Sequence, residues 1–194
     1  DAELLIDHAW GRESATMEDI KAYKPKSSSI SSGQVLMRDY QFEECKIVVK
    51  EMTDALCLDM AEKGLVTESL TLMIGYSNAL ELKPVSGTAA MVVCTNSYQV
   101  IIPYVLELYE RIVDKNRPIR RLSLACNHVH EETYEQYDLF TDYRDIERNK
   151  KIQKAALEIK NRFGKNALVR GMDLQEEGTA MERNRQIGGH KSGE

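Results

Sequence analysis

Three groups of residues in this sequence have types and spacings that could do chemistry. The first is Cys126-Asn127-His128-Val129-His130, with Glu132 close behind. A thiolate and two imidazoles are zinc ligands, and on an extended strand Cys126, His128 and His130 share one face. Alternate strand residues stand about 6.6 Å apart, which is long for three ligands on one ion. Spacing places no fourth ligand, so the run reads more simply as the polar end of a strand, and no metal site is expected. The second group is Lys115-Asn116-Arg117-Pro118-Ile119-Arg120-Arg121, four cations without an acid. With Lys24, Lys26, Arg38 and Lys83 near other strands, it could hold a phosphate backbone or be a solvated surface. The third is Gln136-Tyr137-Asp138-Leu139-Phe140: an amide, an acid and two apolar anchors. It suits a linear motif for a partner's pocket, or a staple for the helix that follows. No phosphate-binding glycine loop and no G-x-S-x-G elbow occurs, so no catalytic residues are assigned.

Composition bounds what these groups can do. The chain has 194 residues, 26 Lys plus Arg against 31 Asp plus Glu, and a formal net charge of -5. That balance excludes a strongly basic nucleic-acid coat. The acidity lies before residue 132, with 14 cations against 19 acids; residues 132–194 carry 12 of each. Hydrophobic residues at 42% and charged residues at 29% describe a globular domain. No apolar run is long enough to span a membrane, so no membrane partner is expected. Cys45, Cys57, Cys94 and Cys126 form no C-x-x-C pair and read as small buried thiols of a reducing, cytoplasmic protein. The start, Asp1-Ala2-Glu3-Leu4, has neither a Met nor a signal-like region, so the chain is expected to be a segment of a longer one.

The elements that must position these residues are legible in the periodicity. Residues 1–26 read as a short helix stopped by Gly11, a turn capped by Thr16 and Asp19, and a connector broken by Pro25. Ser29 to Tyr40 reads as a strand with Val35-Leu36-Met37 as its apolar centre. Phe42, Cys45, Val49, Met52, Leu56 and Met60 recur at helical spacing up to Gly64. Leu70, Leu72, Ile74 and Tyr76 alternate with Ser69, Thr71, Met73 and Gly75, which predicts a strand buried on one face. Residues 77–87 read as a loop, Thr88 to Thr95 as a short strand, Tyr98 to Lys115 as a second helix, and Pro118 to Asn127 as a last strand. The order β-α-β-β-α-β predicts an α+β fold: a four-stranded, largely antiparallel sheet with two helices on one face. The other face is left open, with Ser69, Thr71, Arg121 and Ser123 on it. Beyond residue 131, Asp142 to Phe163 reads as a charged helix, Asn166 to Val169 as a short strand, and Gln175 to Glu194 as a disordered or partner-binding end.

The residues resemble a known family. The strand order, Ser31-Ser32-Gly33-Gln34 at the entry to the first strand and Pro118-Ile119-Arg120-Arg121-Leu122 at the entry to the last are similar to the little finger, or polymerase-associated, domain of Y-family translesion DNA polymerases. Arg162-Phe163-Gly164-Lys165-Asn166-Ala167-Leu168-Val169-Arg170-Gly171-Met172 and Glu182 to His190 resemble the C-terminal end of the UmuC-like UV-damage repair polymerases of Gram-positive bacteria. The resemblance implies a thumb-domain remnant at 1–26, a DNA-binding little finger at 27–131 and a tail at 132–194. It implies that the catalytic palm, and the Mg it would use, belong to the parent polymerase, and that this fragment carries no cofactor. It implies a primer-template DNA partner met by the open sheet face. Ser32, Gly33 and Gln34 match an element that touches template phosphates in some members, with Gln34 where others carry a cation. Arg120 and Arg121 match the Arg-Arg of the last strand, with Arg121 facing DNA and Arg120 at the edge. Arg38 and Lys83 complete the expected DNA-binding set. Gln136, Tyr137, Asp138, Leu139 and Phe140 resemble the pentapeptide that docks on the bacterial sliding clamp, with Tyr137 in place of Leu. The role implied is damage bypass in the SOS response. The competing reading from the residues alone is a ferredoxin-like interaction or ligand-sensing module with no nucleic-acid role.

Overall fold

The computed structural model describes residues 2–13, 15–23, 28–133 and 143–186. In chain order the elements are α1 (Ala2–Ala9), α2 (Met17–Ala22), β1 (Ser29–Tyr40), α3 (Phe42–Glu62), β2 (Leu65–Tyr76), β3 (Val85–Thr95), α4 (Tyr98–Ile112), β4 (Ile119–Asn127), β5 (His130–Glu131), α5 (Tyr143–Phe163) and α6 (Ala180–Arg183). The sheet runs β1-β4-β2-β3 with every pair antiparallel. This is the α+β order expected from the periodicity. One short addition is β5, whose two residues pair with Leu65 and Val66 of β2.

One side of the sheet is buried because one side is apolar. Leu70, Leu72, Ile74, Leu122, Leu124 and Cys126 point into a core completed by α3 and α4. From α3 come Phe42, Cys45, Val49, Met52, Leu56 and Met60, the stripe read from the sequence, and from α4 come Ile101, Val105 and Leu108. Tyr109 joins the two helices: its hydroxyl donates to the Phe42 carbonyl at 2.8 Å, and its ring lies 4.7 Å from that of Phe42. Helix α3 starts where the Gln41 amide donates to Glu44 Oε2 at 2.6 Å. It stops at Gly64, whose φ of 65° is a left-handed conformation that closes a helix without a Cβ clash.

Three expectations for the folded domain need correction. Only Leu36 of the Val35-Leu36-Met37 run is buried; Val35 is 66% and Met37 80% exposed, because strand side chains alternate and only one face is covered. Strand β3 begins at Val85 rather than Thr88, since Val85, Ser86 and Gly87 pair with Ile74, Met73 and Leu72. Asn166 to Val169 forms no strand and pairs with none of the sheet's strands; it is part of a turn region between α5 and a short 3-10 turn at Gly171–Leu174.

A fourth correction concerns the tail. The sequence from Gln175 onward reads as a disordered or partner-binding end. Residues 175–186 are ordered against the domain and include α6. Polar anchors hold them, and hydropathy periodicity does not report such anchors.

Replacing Leu72, fully buried opposite Leu124 and Gly87, with Ala should cost about 2–5 kcal/mol. The denaturant midpoint should fall while the slope of the transition stays unchanged.

Candidate nucleic-acid interface

The register of the sheet lays out its open face in rows. Val35, Arg121 and Gly75 lie across β1, β4 and β2 at one end. Gly33, Ser123, Met73 and Ser86 form the next row, then Ser31, Ala125, Thr71 and Thr88. The residues are small or hydroxylic apart from Met73, Val35 and Arg121. A face of small side chains lets a polymer backbone come close, and its hydroxyls can donate to phosphate oxygens. Asn127 ties one end together, donating to Thr71 Oγ1 at 2.9 Å. Ser69 beside it is buried rather than open.

Arg121 supplies the charge. It is exposed, and among the described residues it makes no ion pair. Gly75 leaves room for its stem: a Cβ there would lie 3.0 Å from Arg121 Cγ, a contact the side chain would have to relieve by shifting. The arginine stem therefore runs over the glycine. A glycine inside a strand is a sequence signal of such close approach, and Gly75 is a residue that the sequence reading missed.

The other expected contacts are placed less uniformly. Gly33 lies on the open face beside Ser123. Ser32 and Gln34 pair with Leu124 and Leu122, so their side chains point to the helix side, where they meet the tail. Arg183 Nη2 donates to Ser32 Oγ at 3.3 Å, and Gln34 Nε2 donates to Thr179 Oγ1 at 3.2 Å. Arg38 stacks 4.3 Å from the centre of the Tyr40 ring and pairs with Glu44 at 2.8 Å. Arg120 lies 3.8 Å from Asp39. Lys83 is exposed in the loop between β2 and β3. Of the basic run at 115–121, Lys115 turns to the Phe42 ring and Arg117 to Asp114, so only Arg121 is brought to the open face. Gln136, Tyr137, Asp138, Leu139 and Phe140 lie outside the described residues, as do Lys24 and Lys26.

The cysteine-histidine run is dispersed. Cys126 is buried in the core, where desolvation pushes its thiol up to about 12. His128 has φ 51°, which breaks the strand alternation, and His130 is exposed on β5. Among the described residues no three potential metal ligands converge.

The acids of α3 hold the tail. Helix α5 lies beside α3, where Gln153 Nε2 donates to the carbonyls of Cys57 and Asn96 at 3.1 and 3.2 Å, and Asn161 donates to Glu62 at 2.9 Å. Arg170 reaches Asp54 at 2.7 Å and stacks 4.3 Å from the centre of the Tyr98 ring. Glu51 Oε2 accepts from the amide and the hydroxyl of Thr179 at 2.8 and 3.0 Å. Its other oxygen lies where a Cβ on Gly178 would come within 2.9 Å. A Glu among the inward positions of α3 is the one signal of this anchor in the sequence, since a buried carboxylate requires partners.

Residues 27–139 match the protein-family model described as the impB/mucB/samB family C-terminal domain. The chain belongs to that family. It is 28% identical over 179 residues to DNA polymerase IV 2 of Bacillus subtilis (strain 168), covering 87% of this chain and 42% of that protein. It is 26% identical over 165 residues to the putative UV-damage repair protein UvrX of the same strain, covering 84% and 39%. The chain thus spans about two fifths of the length of these relatives. Among solved structures it is similar to the complex of a beta-clamp processivity factor and the little finger domain of PolIV, with TM-score 0.42 and 10% identity over 59% of this chain and 100% of that one. It is also similar to an insertion ternary complex of Dbh DNA polymerase, with TM-score 0.38 and 18% identity over 67% and 35%. No helix among the described residues is long and apolar enough to cross a membrane.

Burial holds the Glu51 carboxyl above its ordinary 4.5, against the hydrogen bonds from Thr179 that favour the charged form. A carboxyl raised in the folded state keeps a proton that the unfolded chain has released. Its contribution to stability is therefore greatest below about 4.5 and falls as pH rises through the raised value. Glu51→Gln keeps an acceptor for Thr179 and should remove this fall when its urea stability is compared with wild type across about pH 4 to 8. Glu51→Ala should instead expose residues 175–186 to limited proteolysis.

Proposed function

We propose that this chain is the DNA-positioning and clamp-docking region of a translesion DNA polymerase that acts in damage bypass. The catalytic palm and its Mg would lie in the rest of the parent protein, and the enzyme would be cytoplasmic. The observation that carries the reading is Arg121: a cation without an ion-pair partner among the described residues, held over Gly75 at one end of an open sheet face of small and hydroxylic residues. Such a face can lie along a primer-template duplex and hold phosphates without reading bases. That suits a polymerase that must accept damaged templates. The net charge of -5 is compatible because Glu51, Asp54 and Glu62 of α3 are on the opposite side of the sheet and are engaged with the tail.

The remaining assignments complete this reading. Gly33 and Ser123 would bring the backbone close to the strand pair, with Lys83 at the loop as an outer contact. Gln136 to Phe140 would dock on the sliding clamp, its Leu139 and Phe140 filling an apolar pocket. Residues 1–26 would be the end of the preceding domain. Leu5, Ile6, Trp10, Ile20 and Tyr23 are exposed here, which supports a neighbour that covers them in the parent protein.

Two measurements test the proposal. Arg121→Ala should weaken binding of a fluorescent primer-template duplex several-fold and lower the slope of log affinity against log salt by about 0.9; an unchanged slope refutes the assignment. Leu139→Ala with Phe140→Ala should abolish capture by an immobilised bacterial sliding clamp and leave DNA affinity as it was. Persistent capture would remove the motif from the reading.

A further inference from the structure

The tail places a second arginine opposite the first. A cleft of about 520 Å3 is lined on one side by Gly33, Arg121 and Ser123, and on the other by Thr179, Arg183 and Gln186. Thr179 is fixed twice, by Gln34 of β1 and by Glu51 of α3, so α6 is held against the β1 edge of the sheet. Arg183 sits one turn further on and is half-buried, its Nη2 directed at Ser32 Oγ. Among the described residues no carboxylate lies within ion-pair distance of it. Glu51, the acid whose field it feels, bonds Thr179 through Oε2 and, among the described residues, makes no ion pair with Arg183; its buried Oε1 has no hydrogen-bond partner. A half-buried cation without a counter-ion is costly unless something anionic comes to it. Glu182 is the acid in the cleft lining, against the two arginines.

We propose that residues 179–186 form a second wall of the nucleic-acid interface, with Arg183 taking a backbone phosphate of the duplex that Arg121 contacts from the sheet. The inference rests on the DNA-binding reading above and extends it to a segment outside the sheet. The ligand is a phosphodiester, bound by charge and by the cleft's hydrogen-bond donors, Ser123 and Gln186, without base recognition. Ser32 then positions the guanidinium and does not itself touch DNA.

The test uses the whole 194-residue chain and a fluorescent primer-template duplex titrated at several salt concentrations. Arg183→Gln should weaken binding roughly three- to tenfold at low salt and lower the salt slope by about 0.9, and Arg121→Gln should do the same. The double variant should lose about twice that slope. If Arg121→Gln lowers the slope and Arg183→Gln leaves it unchanged, the second wall is overturned and the open-face reading stands. If neither lowers it, both fall. Ser32→Ala removes the anchor and keeps the charge, so its slope should stay at the wild-type value. A slope lowered equally by Ser32→Ala assigns the effect to tail docking and overturns the phosphate contact.

Discussion

The structure depends on one constraint: a sheet that is apolar on one face and covered on that face only. The alternation in β2 and β4 sends Leu70, Leu72, Ile74, Leu122, Leu124 and Cys126 to a single side, and α3 and α4 bury them. Burial of this side is the main favourable term in the domain's stability. Everything else is what the constraint leaves over. Helices on one side leave the opposite face open, and its residues are those that alternate with the core: Gly33, Ser123, Thr71, Arg121. The same pleat that buries Leu122 turns Arg121 outward.

The helix layer has a second use. An acidic α3 looks from composition like a solvated surface, yet Glu51, Asp54 and Glu62 each bind a tail residue. The tail thus runs from the α3 and α4 side to the β1 edge and brings its own cations round toward the open face. The charge of the chain is sorted accordingly. Negative groups are engaged on the helix side, and two arginines without ion-pair partners among the described residues flank a cleft at the sheet edge. A domain arranged in this way can hold a polyanion locally while its net charge remains negative.

The arrangement also suits a domain that positions rather than selects. Small residues and hydroxyls offer close approach and generic donors, and arginines offer charge. None of these in this setting discriminates one base pair from another. With a formal net charge of -5, such a domain should hold DNA weakly by itself and gain from the catalytic core and clamp tether proposed for the parent protein.

Much of this was legible from spacing alone. The helical stripe from Phe42 to Met60, the alternation from Leu70 to Tyr76, and the parity that separates Arg121 from Leu122 all follow from the 3.6- and 2-residue periods of regular structure. With one-sided covering they predict both the fold class and the open face. The structure separates Ser32 and Gln34, on the helix side, from Gly33 on the open face, although the motif resemblance grouped all three. The tail was not legible, because its docking rests on hydrogen bonds and ion pairs between residues over a hundred positions apart, such as Glu51 with Thr179 and Asp54 with Arg170. Neither period nor hydropathy marks a polar anchor of that kind. The sequence by itself determined which residues must be buried and which face must stay open, since both are local consequences of alternation. Only the tertiary structure decided what stands at the rim of that face, because partners so distant in the chain are chosen by packing and not by pattern.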